Sequence, residues 1–188
     1  MPSTPARRIG VVSDTHLPRF GRELPRALVA GLEAAGAELI LHLGDMTEPW
    51  VPSLFERIAP FDAVAGNNDG DELVARFGRR KVVEFGGLRF GLVHGDQGPG
   101  ATTPERAAGS FGPDEVDVVL FGHSHIPLVR RLVDGRWLVN PGSPTDKRRQ
   151  PRYSFALIAV EAATRRVRPE IRFFDDRATG PPRTSRSR

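Results

Sequence analysis

Seven residues of this chain carry lone pairs suited to a divalent cation, and all stand at or just beyond the end of a short apolar run. "VVSDTH" supplies Asp14 and His16, "LHLGD" Asp45, "AVAGNND" Asn67, "GLVHG" His94, and "LFGHSH" His123 and His125. Four of the chain's five histidines are in this set. Each motif alone is weak. Asp-x-His arises by chance, Gly-Asp after a strand is a common turn, and one isolated histidine is more often a hydrogen-bonded core side chain than a ligand. Together they offer two carboxylates, one amide oxygen and four imidazoles. That is too many donors for one ion and suits two, provided one carboxylate is shared. The chain has no cysteine, which excludes thiolate ligands, disulfides and a cysteine nucleophile.

Two adjacent divalent ions lower the pKa of a water between them, so that a bridging hydroxide exists near neutral pH. They also neutralise charge on phosphate oxygens as an in-line transition state develops. The chemistry implied is phosphoester hydrolysis. Imidazole and carboxylate donors favour Mn, Fe, Zn, Co or Ni over a Ca or Mg cage, and a manganese-type dinuclear centre is the expectation.

Such donors must be delivered by a scaffold. Apolar runs alternate with helical patterns, which predicts βαβ organisation. Strands are expected at 9–13, 39–43 and 61–65, with helices at 22–38, 51–58 and 71–77. "KVVEFGGLRFGLVHG" reads as two strands turning at Gly86-Gly87, where both residues tolerate positive φ. A helix around "TPERAAGSF" leads to a strand at 116–121, followed by hairpin patterns over 127–139 and 153–174. Parallel-type strands first and antiparallel hairpins later predict two mixed sheets with outer helices. In open α/β sheets ligands bind beyond the carboxyl ends of the strands. Extended backbone would send residues i and i+2 to one side, so Asp14/His16 and His123/His125 are each expected to aim two donors at one place.

The ordered set D-x-H, G-D, G-N-x-D, G-H and G-H-x-H resembles the calcineurin-like metallophosphoesterase superfamily over about residues 9 to 160. "NPGS" (140–143) followed by "PR" (151–152) is most similar to its small, uncapped YfcE-type bacterial phosphodiesterases. The resemblance implies a four-layer αββα sandwich of two mixed β-sheets flanked by helices. It also implies that Asp14, His16 and His125 hold a first metal with Asp45 bridging, while Asn67, His94 and His123 complete the second. Asp45, Asn67 and His94 are assigned to the catalytic step. Asp69 is expected to orient a ligand, "NPGSP" with Ser143 to turn beside the metals, and Arg152, with Arg148 and Arg149, to meet substrate phosphate or simply form a solvated basic loop. Asn68 stands where many phosphomonoesterases of the superfamily have a histidine able to protonate a leaving group. An amide cannot do so, and the expected substrate is therefore a small phosphodiester. His42 matches no ligand position and reads as a core residue with a hydrogen-bond partner.

Composition bounds the alternatives. With 39% hydrophobic and 27% charged residues the chain is of globular type. No apolar run approaches the roughly 20 residues that would span a bilayer. The start "MPSTPARRIG" has no apolar signal core, which implies a cytoplasmic protein. The length predicts one domain, 1–176, and the composition of "RATGPPRTSRSR" a disordered Arg-rich tail, 177–188. The formal charge of +4 resides in the ends: six of the 27 basic residues lie at positions 7–8 and 177–188, leaving 21 against 23 acidic residues, a net −2. A nucleic-acid partner is disfavoured, although a nuclease of this core is the second reading. A non-catalytic scaffold is the third, and intact ligands argue against it. A homo-oligomer is compatible with the sequence.

Overall fold

The computed structural model describes residues 6–178. In chain order its elements are β1 (Arg7–Val12), α1 (Arg26–Ala34), β2 (Leu39–His42), α2 (Pro52–Glu56), β3 (Phe61–Ala63), α3 (Asp71–Phe77), β4 (Arg80–Phe85) and β5 (Leu88–Val93). They continue with α4 (Thr103–Gly109), β6 (Val118–Leu120), β7 (Leu128–Arg131), β8 (Trp137–Asn140), β9 (Tyr153–Glu161) and β10 (Arg166–Phe174).

Period-two alternation sorts the strand residues into two faces. On β1, Ile9 and Val11 face the second sheet while Val12 faces helices; on β9, Ala156, Ile158 and Val160 face the sheet while Phe155 and Leu157 face helices. The first sheet has the order β10-β9-β1-β2-β3, and the second β4-β5-β6-β8-β7. Leu28 and Leu32 of α1, Phe55 of α2, and Leu73 and Phe77 of α3 cover the outside of the first sheet. Ala107 of α4, with Phe111 beyond it, covers the outside of the second. The chain is thus the αββα sandwich expected. Each leucine or phenylalanine fully buried in these layers stabilises the fold by about 1.5–3 kcal/mol.

Local chemistry sets the boundaries. Gly86 and Gly87 turn between β4 and β5 with φ of 58° and 74°, as the glycine pair predicts. Thr102 and Glu105 close a reciprocal capping box at the start of α4. The helix expected at 22–38 is shorter, because Pro25 is held extended at ψ 133° and restricts Leu24 before it, so helical hydrogen bonding begins only at Arg26. Likewise α2 occupies only Pro52–Glu56 of the stretch 51–58.

The division into a parallel first half and an antiparallel second half does not hold. β5, β6 and β8 run parallel, as do β1, β2 and β3, and the antiparallel partners lie at or toward the edges of each sheet. Two parallel triplets therefore send their carboxyl ends to the same rim. Among the described residues no helix is long and apolar enough to cross a membrane. Arg177 and Ala178, the first residues of the expected tail, are held by contacts to Thr145 and Arg26, and the remainder of that tail lies outside the described residues.

Candidate metal centre

Asp14 and His16 leave β1, Asp45 leaves β2, Asn67 leaves β3, His94 leaves β5, and His123 and His125 leave β6. Their side chains meet at the shared rim. Asp14 Oδ1 lies 3.3 Å from His125 Nε2 and 3.9 Å from His16 Nε2. His16 Nε2 lies 3.4 Å from His125 Nε2. Next to them, Asn67 Oδ1 is 3.1 Å from His94 Nε2 and 3.0 Å from His123 Nδ1, and the two imidazole nitrogens are 3.3 Å apart. Asp45 Oδ2 joins the groups, 3.6 Å from His16 Nε2 and 3.3 Å from His94 Nε2. Donors bound to one ion at about 2.1 Å sit roughly 3.0–3.4 Å from each other, so this spacing is that of ligands around a cation.

Sequence spacing alone gave a wrong account of how the donors converge. Asp14, His16, Asp45, His123 and His125 all have left-handed backbones, with φ between 45° and 64°. The loops after β1 and β6 are chains of tight turns rather than continued strand. Asp14 and His16 still reach one group, but His123 and His125 part, one to each. Left-handed conformations are costly for non-glycine residues and persist only where surrounding structure holds them.

That surrounding structure is visible. Asp69 accepts three backbone N–H bonds, from Asp45 (2.8 Å), Gly66 (2.7 Å) and Thr47 (2.6 Å), tying the ends of β2 and β3 together. It orients the backbone of a ligand rather than a ligand side chain. Asn68 donates from its backbone to Asp45 Oδ1 (2.9 Å) and from its amide to Asp45 Oδ2 (2.7 Å). Ser143 donates to the Asp14 carbonyl (2.8 Å) and accepts from the Asp146 N–H (2.9 Å). Buried Ser143 therefore secures the first loop and has no route to substrate. Arg152 is engaged on the surface, where its guanidinium donates to Asp175 (2.7 Å) and lies over Phe173.

Three contributors carry no signal in their own motifs. The Thr145 hydroxyl donates to the Thr15 carbonyl (2.7 Å), and Asn140 donates to the Gly122 carbonyl (2.8 Å). The Asp146 carbonyl accepts from His125 Nδ1 (2.6 Å). All lie in or beside "NPGSPTD", whose run of short polar residues after a strand was the available clue. His42, buried in the core, accepts from the Gly44 N–H at Nδ1 (3.2 Å) and meets the Thr15 hydroxyl at Nε2 (3.2 Å). Its proton is consequently on Nε2, and it links two ligand loops without facing the cluster.

The electrostatics suit cation binding. Asp14 Oδ1 is buried with no hydrogen-bond partner among the described residues. His94 and His125 commit Nδ1–H to the carbonyls of Leu43 (2.7 Å) and Asp146, which turns Nε2 of each toward the cluster. Burial opposes a proton on His94, but the Asp45 hydrogen bond and the Asp14 charge lift its pKa to about 9. His125 is raised despite burial by the facing Asp14 carboxylate, while burial lowers His16 and His123. Burial would raise Asp14 and Asp45, yet His125 and His94 respectively hold them below the usual carboxylate range. Burial also lifts Asp69 above its ordinary value, against its three backbone donors. Two buried carboxylates set among four closely spaced imidazoles draw positive charge into the cluster, and this donor set fits divalent metal.

This ligand order on this sandwich decides the family. Residues 8–163 match the model of the calcineurin-like phosphoesterase superfamily domain. The chain belongs to that superfamily. A probable metallophosphoesterase of Methanothermobacter thermautotrophicus is 40% identical over 139 residues, 73% of this chain and 77% of that protein. Vacuolar protein sorting 29 from Cryptosporidium parvum superposes with a TM-score of 0.72 at 19% identity, covering 92% of this chain and 100% of that one. A Streptococcus pneumoniae protein described as a predicted phosphoesterase has a TM-score of 0.57 at 18% identity, covering 90% and 100%. At those identities the two solved structures show the calcineurin-like fold alone.

Proposed function

We propose that this protein is a metal-dependent phosphodiesterase that hydrolyses small phosphodiesters at a dinuclear centre. The observation that carries the reading is the convergence of all seven donors as two groups sharing Asp45. Asp14, His16 and His125 would hold one ion, Asn67, His94 and His123 the other, with Asp45 between, and the thiolate-free donor set suits Mn first, with Fe, Zn, Ni or Co as alternatives. Bound there, the ions would supply Lewis acidity toward phosphate and lower the pKa of water.

The chain's own contribution is preorganisation. The Asp45 carboxylate is fixed at both oxygens by Asn68. His94 and His125 are fixed in one tautomer by backbone carbonyls. Little rearrangement is then needed when charge develops on a phosphate. Asn67 and Asn68 are exposed and His123 is half-buried, whereas the other ligands are buried, so phosphate approaches over Asn67 and His123. Asn68 is neutral and engaged with Asp45, leaving no acid at that position for a poor leaving group. General acid help is typically worth about 10²–10⁴-fold, which favours diesters with good leaving groups over alkyl monoesters.

The test is hydrolysis of bis-p-nitrophenyl phosphate beside p-nitrophenyl phosphate with Mn, Ni, Zn and Mg, using Asp45→Asn as control. Metal-dependent diester turnover that needs Asp45 is expected. Asn68→His should raise the monoester-to-diester ratio, and an unchanged ratio would remove the leaving-group argument. A folded, metal-loaded protein inactive with every metal would return the fold to a scaffold role.

A further inference from the structure

A cleft lies away from the metal ligands, where β5, β6 and β8 begin. It has a volume of about 910 Å³ and runs between the start of β10 and the β7–β8 hairpin, reaching the entry of β6. Those three strands end at the metal rim. Asp117 stands at the entry of β6, and His123 and His125 follow its exit. The volume is within the range of small-molecule sites, about 300–1,000 Å³.

The cleft has more positive charge than its own carboxylates can use. Asp134 is taken by Arg136 (2.7 Å), whose buried guanidinium also donates to the Phe111 carbonyl (2.9 Å). Asp117 is taken by Arg165 (2.9 Å), which donates in addition to the Gly87 carbonyl (2.7 Å). Arg168 pairs outside the lining with Glu161 (3.0 Å). These pairs build fixed walls. Arg131 and Arg166 also line the cleft, and among the described residues no carboxylate lies within ion-pair reach of either. Arg131 is placed over the indole of half-buried Trp137, its guanidinium carbon 5.0 Å from the ring centroid.

We infer that this cleft binds a small polyphosphate anion through Arg131 and Arg166, at a site separate from the metal centre. Guanidinium forks match phosphate oxygens bidentately, and two uncompensated forks beside a rigid wall suit a chain of linked phosphates better than a single carboxylate. Inorganic tripolyphosphate and the triphosphate chain of a nucleotide share this chemistry.

Titration calorimetry on the full chain in excess EDTA, with tripolyphosphate and separately with ATP, tests the inference without divalent ions. Saturable one-to-one binding is expected, weakened about tenfold or more in Arg131→Ala/Arg166→Ala. Arg76→Ala/Arg172→Ala removes the same charge outside the cleft and should leave affinity within about twofold. Arg131→Lys/Arg166→Lys retains charge and fold but loses the forks, and should fall between. Binding of ATP well above tripolyphosphate would assign the site to nucleotides, and equal binding to the phosphate chain itself. No saturable binding, or equal losses in the two alanine variants, would overturn the site. A wild type that ignores both probes but holds a DNA duplex through Arg131 and Arg166 would replace it with a nucleic-acid surface.

Discussion

Asp69 is the residue on which the arrangement of the metal centre most depends without touching the cluster, and removing it should be felt twice. Its two oxygens receive the N–H groups of Asp45, Gly66 and Thr47 at 2.6–2.8 Å, and the residue is 7% exposed. In Asp69→Ala those donors lose their acceptor. An unsatisfied buried donor costs about 1–3 kcal/mol. Thr47 is half-buried, and water can replace its lost partner, so two donors dominate and the expected loss is about 3–5 kcal/mol of folding stability. The milder Asp69→Asn can place its oxygen toward Asp45 and Gly66 and present its amide to Thr47, which should cost about 1–2 kcal/mol. Metal affinity should follow the same order, because the Asp45 backbone loses its left-handed restraint; loss of such outer partners typically weakens binding by about 10–100-fold. Urea unfolding in EDTA measures the first effect free of metal linkage, and calorimetric titration with Mn or Zn measures the second. An Asp69→Ala protein within about 0.5 kcal/mol of wild type, with unchanged metal affinity, would refute the reasoning.

Chelation should destabilise the protein, since metal binds only the folded arrangement. Free Mn at 100 times its Kd should add about 2.7 kcal/mol, and Asp14→Asn should abolish that gain in a thermal melt. His42 predicts acid sensitivity. Burial holds its pKa at about 3 against 6.5 for the free side chain, so the unfolded chain takes up a proton that the folded chain refuses. Its stabilisation is complete above pH 6.5 and falls progressively toward pH 3, by about 2 kcal/mol at pH 5. His42→Gln should flatten that part of the urea-derived stability profile, and parallel profiles would exclude His42. Gly122→Ala would put a Cβ 1.9 Å from Ser13 Oγ, 2.8 Å from Asp14 Oδ2 and 3.0 Å from Ser13 Cβ, so the buried hydroxyl must turn away and the Asp14 carboxylate must shift. It should cost about 1–3 kcal/mol and weaken metal binding, whereas Gly70→Ala, which meets nothing within 4 Å, should leave metal binding unchanged.

The sequence by itself determined the elements and the donor inventory. The continuous apolar runs in "RRIGVV" and "YSFALIAVE" reflect strands whose two faces both meet a packed layer, and Gly86-Gly87 prescribes a turn that few other pairs adopt. Proline at position 25 shows why helical spacing at 22–38 overstated α1: periodicity reports which face is apolar, not where hydrogen bonding begins. The seven donors were legible because each follows a strand, and strand ends are where an α/β sheet presents ligands. How those donors are grouped could not be read from their spacing, and it is tertiary packing that brings it about. Left-handed turns at Asp14, His16, His123 and His125 are not prescribed by those residue types, but are held by contacts from Ser143, Thr145 and Asn140, more than a hundred residues from Asp14 and about twenty from His123. Arg152 shows the same limit from the other side, since a charge that could have met phosphate met Asp175 once β10 was in place. Local sequence fixes periodicity and turn chemistry, whereas side-chain convergence depends on packing between segments distant in the chain.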